Sequence, residues 1–270
     1  MATEGYIHGE SSTEQDRLLE QAEILAPWVL PAIDLDGVGV LLEVGCGVGA
    51  ETRLLRARWP ETRVVGVDLS ARQLSRARDV LAADLARGDV ALVRASATRL
   101  PVASRSVDAA VLIWLLEHVP DPQAVVDECA RALKPGGRLF AIEVYNRSLL
   151  VEPRQPIIEE YFTALSTAQE RAGGHPDIAA RLPQLAARAG LTVEQFVMRP
   201  IHGDGRDRAL AIRLIRYFEG ICRSAVDQIV AAGLFDRARV PDVWRAFDAV
   251  CESPSPLLLY TNGQLVARKP

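Results

Sequence analysis

Leu41-Leu42-Glu43-Val44-Gly45-Cys46-Gly47-Val48-Gly49-Ala50-Glu51-Thr52 is the stretch on which the reading of this chain turns. An apolar run, 38–44, leads into it. Three glycines at alternate positions form its centre, and a helix-compatible run, 51–59, leaves it. The order is strand, tight turn, helix. Glycine lets the backbone enter positive φ and leaves bare main chain where a ligand can approach a helix start. Downstream, a second apolar run, 63–67, ends in Asp68. An acidic side chain at the tip of a second strand can accept hydrogen bonds from both hydroxyls of a ribose. The first half of the chain therefore reads as a nucleoside-binding α/β domain.

The glycine run by itself fits two patterns. Gly45, Gly47 and Ala50 satisfy the dinucleotide fingerprint G-x-G-x-x-G/A, which leaves an NAD-dependent reductase open. Glu43, Gly45, Gly47 and Gly49 also satisfy E-x-G-x-G-x-G. Later stretches bear on the choice. Val107 to Ile113 is a fourth apolar run, followed by Trp114-Leu115-Leu116-Glu117-His118-Val119. An amphipathic helix is expected over 121–133, then Leu133-Lys134-Pro135-Gly136-Gly137 and an apolar strand ending at Glu143.

In that order and spacing these stretches resemble the first, fourth-strand, "LEHV" and "LKPGG" motifs of the class I S-adenosylmethionine-dependent methyltransferases. The resemblance is strong over 38–143. Upstream, Tyr6-Ile7-His8-Gly9-Glu10-Ser11 with Arg17, Leu18 and Gln21 resembles the entry arm of a bacterial small-molecule subgroup that includes secondary-metabolism enzymes. The resemblance implies a doubly wound, seven-stranded, mostly parallel Rossmann-like sheet with helical cap additions, and S-adenosyl-L-methionine as cofactor. The implied cofactor residues are Tyr6, Glu43, Gly45, Cys46, Gly47, Gly49, Asp68, Leu69, Gln73, Ser96, Ala97, Thr98, Trp114 and His118. At Ser96 the chain departs from the family, which usually places an Asp there against the adenine amino group; a hydroxyl accepts that bond more weakly than a carboxylate.

The chain divides into an N-terminal arm and helix (1–36), a cofactor-binding core (37–199) with a substrate-side insertion (145–175), a helical insertion forming a lid (200–256) and a last core strand (257–270). Overlapping capping boxes, Ser11 to Glu14 and Ser12 to Gln15, start a helix that runs to about Val29, with Pro27 inside its pattern. Further helices are expected over 71–86, 157–171, 206–231 and 241–251, with strands over 63–68, 90–93, 108–114, 191–198 and 257–267. Glu43, Asp68, Trp114 and Glu143 should meet at one sheet edge, where the carboxyl ends of the strands lie.

Methyl transfer from a sulfonium is an in-line displacement, so orientation does most of the work and a base helps where the acceptor carries a proton. His8, Glu143, Tyr145 and His202 are the candidate bases. Apolar content in arm, insertion and lid points to a small organic acceptor rather than a polymer; an aromatic or heteroaromatic metabolite, methylated at oxygen, nitrogen or carbon, is the preferred expectation. A protein that binds the cofactor without transferring methyl would keep the same glycines and Asp68. A net charge of −4 and the lack of a basic stripe count against a nucleic-acid partner. Four scattered cysteines give no zinc or disulfide pattern, and no metal is expected. No apolar run approaches the about 18 residues that span a bilayer. The expectation is a soluble, cytoplasmic protein, monomeric or homodimeric.

Overall fold

The computed structural model describes residues 8–270. Seven strands form one sheet in the order β3-β2-β1-β4-β5-β7-β6. They are β1 (Val40–Val44), β2 (Arg63–Asp68), β3 (Val90–Arg94), β4 (Val107–Ile113), β5 (Leu133–Glu152), β6 (Thr192–Gly203) and β7 (Leu257–Arg268). β1 to β5 are parallel, and β7 runs antiparallel to both β5 and β6. Strand order reverses at β1, between β2 and β4, so the carboxyl ends of β1 and β4 open a crevice there. Leu41, Leu42, Ala109, Val111 and Leu139 are fully buried. Such continuously apolar central strands are what a parallel sheet covered on both faces requires.

The flanking helices are α1 (Ser12–Val29), α2 (Ala50–Arg58), α3 (Ala71–Val80), α4 (Ala82–Arg87), α5 (Pro122–Ala132), α6 (Pro156–Arg171), α7 (Leu182–Arg188), α8 (Arg208–Ser224), α9 (Val226–Ala231) and α10 (Val240–Glu252). Ser11 caps α1 by accepting from the Glu14 amide at 3.1 Å. Pro27 sits in the last turn and does not divide that helix.

Other boundaries move for identifiable reasons. The expected helix 71–86 breaks at Leu81, whose φ −108° and ψ 18° end α3 and start α4. The expected helix 206–231 breaks at Ala225 in the same way. β5 does not stop at Glu143. It continues to Glu152 because β7 pairs along it, from Arg138–Arg268 to Glu152–Leu257, across an irregularity between Tyr145 and Leu150. β6 likewise runs on through Gly203, so the helical insertion leaves the sheet after that residue and not at Pro200.

α6, α8, α9 and α10 pack as one cap. Tyr161 of α6 is fully buried and donates its hydroxyl to the Cys222 carbonyl of α8 at 3.0 Å. The rings of Phe235 and Trp244 stand edge-on to it at 4.9 and 5.7 Å. An aromatic seam with its Tyr161 hydroxyl satisfied fixes the cap against itself. Among the described residues no helix is long and apolar enough to cross a membrane.

Candidate active site

A cavity of about 510 Å³ opens at the carboxyl edge of the sheet, beneath the cap and α1. One side is built by the ends of β1, β2, β3 and β4. Gly45, Gly47 and Gly49 all have positive φ, at 78°, 51° and 76°, and each glycine answers a different constraint. A Cβ at Gly45 would meet Leu115 Cδ1 at 2.8 Å, and one at Gly49 would meet Leu81 Cδ1 at 2.7 Å. A Cβ at Gly47 would meet no protein atom within 4 Å, so that residue faces the open cavity. Gly45 and Cys46 donate to the Val67 carbonyl at 2.7 and 3.1 Å, which ties the turn to the end of β2.

Asp68 is held from two directions. The Gly47 amide donates to Oδ2 at 2.9 Å and the Ser70 amide to Oδ1 at 2.8 Å. Burial raises the Asp68 carboxyl above the usual range, and these two donors oppose the rise. Each oxygen keeps further acceptor capacity. Leu69, 53% exposed, stands at the rim beside it. Ser96, Ala97 and Thr98 line the same end, with the Ser96 and Thr98 hydroxyls 2.9 Å apart. Gln73 reaches the wall from α3 and accepts from Gln15 of α1 at 3.1 Å. Trp114, just past β4, lines the cavity with φ 53°, a conformation rare for a bulky side chain and one that turns the chain sharply out of the strand.

The other side of the cavity comes from β5, β6, β7, α6 and α8. Val144, Phe162, Leu165, Ile201, Phe218 and Ile221 make it largely apolar. Asn146, Gln169, Tyr217 and Tyr260 supply neutral polar groups. His8 hydrogen-bonds Ser224 of α8 at 2.7 Å and stands edge-on to His118 at 6.2 Å, closing the cavity over both. Burial, then the charges of Arg17 and His118, hold the His8 imidazole well below its usual range, so it is neutral at pH 7.

Several expected site residues do not reach this space. Alternation along the strands decides three of them. His202 follows buried Ile201 on β6, faces the opposite side of the sheet and is exposed. Tyr145 lies between Val144 and Asn146, which line the cavity, and turns the other way, with the Arg147 guanidinium 5.7 Å from its ring. Glu143 is fully buried and lies outside the cavity. Its Oε1 accepts from the Leu115 and Leu116 amides at 3.1 and 2.8 Å, so it holds the turn after β4 and cannot serve as a base there. Burial, then the charge of Glu117, pushes its carboxyl up to about 8.

Two of the expected cofactor residues also lie behind the wall. Glu43 points at α2 and accepts from the Thr52 hydroxyl at 2.5 Å; burial raises its carboxyl to about 8. Gly49 starts α2 against Leu81. Tyr6 lies outside the described residues.

The sequence reading missed Glu51, Arg17 and Glu117 as cavity residues. Arg17 is the one Arg or Lys among the described lining residues; its guanidinium clasps Glu14 at 2.8 and 2.6 Å and Gln21 at 2.8 Å. Glu51, in the first turn of α2, also lines the cavity, and burial pushes its carboxyl up to about 7. Its place directly after the glycines was the signal that could have found it. No group of three His, Cys, Asp or Glu among the described residues could hold a metal ion.

Comparison with known proteins places this geometry. A family model described as a methyltransferase domain matches residues 42–141. A ubiquinone biosynthesis O-methyltransferase of Idiomarina loihiensis is 30% identical over 60% of this chain and 67% of its own length. The chain belongs to the class I S-adenosylmethionine-dependent methyltransferases. Methyltransferase GfsG of Streptomyces halstedii is 35% identical over 69% of this chain, but the match spans 64% of GfsG, less than two thirds of that protein. Among solved structures, the [4+2]-cyclase SpnF superposes over 93% of this chain and 81% of its own, with a TM-score of 0.56 at 22% identity. That likeness concerns the fold. It puts a [4+2]-cyclase beside methyltransferases on one scaffold.

Proposed function

We propose that this cavity binds S-adenosylmethionine and that the chain transfers its methyl group to a small organic acceptor, aromatic or heteroaromatic in character. The observation that carries the reading is the pairing of Asp68 and Gly47. A carboxylate fixed by two backbone amides stands where a ribose diol can donate to it, next to a glycine with open space above its Cα. Leu69 and the Ser96–Thr98 turn form the adenine end. The α-amino and carboxylate groups of the methionine part meet Glu51 and Arg17 at the other end.

When bound, the cofactor supplies an electrophilic methyl group on a cationic sulfur. The rest is the work of the chain. The apolar wall from α6 and α8 excludes water and holds the acceptor, and such positioning can contribute about 7–11 kcal/mol to lowering the barrier. The acceptor lies on the β5–β7–β6 side and the cofactor on the β3–β2–β1 side, so transfer takes place where β4 ends, at Trp114 to His118.

Asp68→Ala tests the assignment. The substitution should weaken S-adenosylhomocysteine binding more than tenfold in a calorimetric titration, and wild-type affinity in the variant would sink the ribose site. A second reading, cofactor binding without methyl transfer, draws support from the shared fold with SpnF. The mass of the product separates the two, since transfer adds one methylene to the acceptor.

A further inference from the structure

We infer that Glu117 is a catalytic residue that takes the proton of a hydroxyl acceptor, and that the acceptor is therefore a largely apolar alcohol or phenol without an anionic group. The inference rests on the reading of the cavity as a methyltransferase site and deepens it.

Glu117 lies in the short turn that leaves β4, lines the cavity and is itself 8% exposed. It is fixed from several sides. Glu143 holds the amides of the two preceding residues from below. The His175 amide donates to the Glu117 carbonyl at 2.8 Å, and a Cβ at Gly174 would lie 2.5 Å from that oxygen, so α6 ends directly against the turn.

The carboxylate is oriented by a directed chain of side chains. Tyr260 donates its hydroxyl to Asn146 Oδ1 at 2.8 Å. Asn146 Nδ2 lies 3.4 Å from Gln169 Oε1. Gln169 then presents Nε2 to Glu117 Oε2 at 2.7 Å. Each amide's direction is set by the one before it, and the chain ends on the carboxylate. Glu117 Oε1 accepts no hydrogen bond from a described residue; the nearest cationic candidate, His118 Nε2, is 3.6 Å away. One oxygen is thus held and the other stands beside His118 as an acceptor, while the polar groups that β5, α6, α8 and β7 add to the wall are neutral.

This composition selects the substrate. The acceptor side has no Arg or Lys among its described lining residues, and Arg17, which pairs with Glu14 on α1, stands at the cofactor end. An acceptor bearing a phosphate or carboxylate would be buried without a counter-charge and beside Glu117, which is unfavourable on both counts. A hydroxyl fits, because it donates to Oε1 while its apolar body meets Phe162, Leu165 and Phe218. As the acceptor oxygen bonds the methyl carbon, the methyl–sulfur bond breaks with its electron pair left on sulfur, and the hydroxyl proton passes to Glu117. The products are the methyl ether and S-adenosylhomocysteine, with the proton held for release to water.

The test uses matched naphthalene probes on the protein saturated with S-adenosylhomocysteine. 2-Naphthol should bind at least tenfold more tightly than 2-naphthoate or 2-naphthyl phosphate. With S-adenosylmethionine in its place, 2-naphthol should yield 2-methoxynaphthalene. Glu117→Gln should lower kcat about 10²-fold or more, while S-adenosylhomocysteine affinity stays within threefold. An anionic probe binding as well as the naphthol, absence of naphthol binding or methylation in the cofactor-loaded protein, or a Glu117→Gln rate within threefold of wild type would each overturn the inference. Failure to bind S-adenosylhomocysteine would instead overturn the cofactor reading. The probe comparison is made on the wild-type protein and stands even if the variant does not fold.

Discussion

Replacing Glu43 by Gln should stabilise the protein above pH 7 and leave it nearly unchanged near pH 5. Glu43 is 4% exposed, and its carboxyl is raised from 4.5 to about 8 by burial, with the Thr52 hydroxyl as its hydrogen-bond donor. A carboxyl raised on folding binds its proton more tightly in the folded state. Its contribution is fully present below about pH 4.5 and is lost as the pH climbs towards 8, because the unfolded chain ionises freely while the folded one cannot. A shift of that size corresponds to a loss on the order of 3 kcal/mol between pH 5 and pH 8, at up to about 1.4 kcal/mol per pH unit. Gln cannot ionise, keeps an oxygen for Thr52 and has the same shape. Urea unfolding of both proteins at pH 5, 6, 7 and 8 gives the difference directly. The two stabilities should diverge with rising pH in favour of Gln. Parallel curves, with a difference that stays constant across the range, would refute the idea that Glu43 is a buried, protonated strut.

Three further outcomes follow from named contacts. Gly49→Ala places a Cβ 2.7 Å from Leu81 at φ 76° and should cost about 1–3 kcal/mol in urea unfolding, whereas Gly47→Ala, with nothing within 4 Å, should lose less stability and more cofactor affinity. Glu51, with its carboxyl near 7, faces the cavity; S-adenosylhomocysteine affinity should rise roughly tenfold from pH 6 to pH 8 as it ionises to meet the ligand's ammonium, and Glu51→Gln should flatten that dependence in calorimetry. His202→Ala should leave kcat/KM within about twofold of wild type, since the side chain is exposed on the far face of β6; a loss beyond tenfold would return it to the site.

The sheet was legible because its signals are local. A buried parallel strand reads as a short apolar run, and the turn at 45–49 needs glycine for reasons visible in a single peptide. Asp68 stands at the end of such a run. The candidate bases were not legible in the same way. His202 lies beyond the strand expected over 191–198, yet β7 pairs through Gly203 and puts His202 in a strand. Glu143 stands at a strand tip only if β5 ends there, and β5 is prolonged by β7, which lies more than a hundred residues on in sequence. One-residue alternation then sends Val144 and Asn146 into the cavity and Tyr145 away from it. Glu117 was read as part of a motif and not as a side chain in its own right, because its partners Gln169, Asn146 and Tyr260 come from α6, β5 and β7 and meet only in the fold.

The measurement that bears most directly on the central claim is calorimetric titration of the purified protein with S-adenosylhomocysteine, with NAD as control. The account predicts micromolar binding of the first and none of the second. Binding of NAD, or of neither ligand, would contradict the assignment of the Gly45–Gly49 turn and Asp68 to the methyl-donor cofactor.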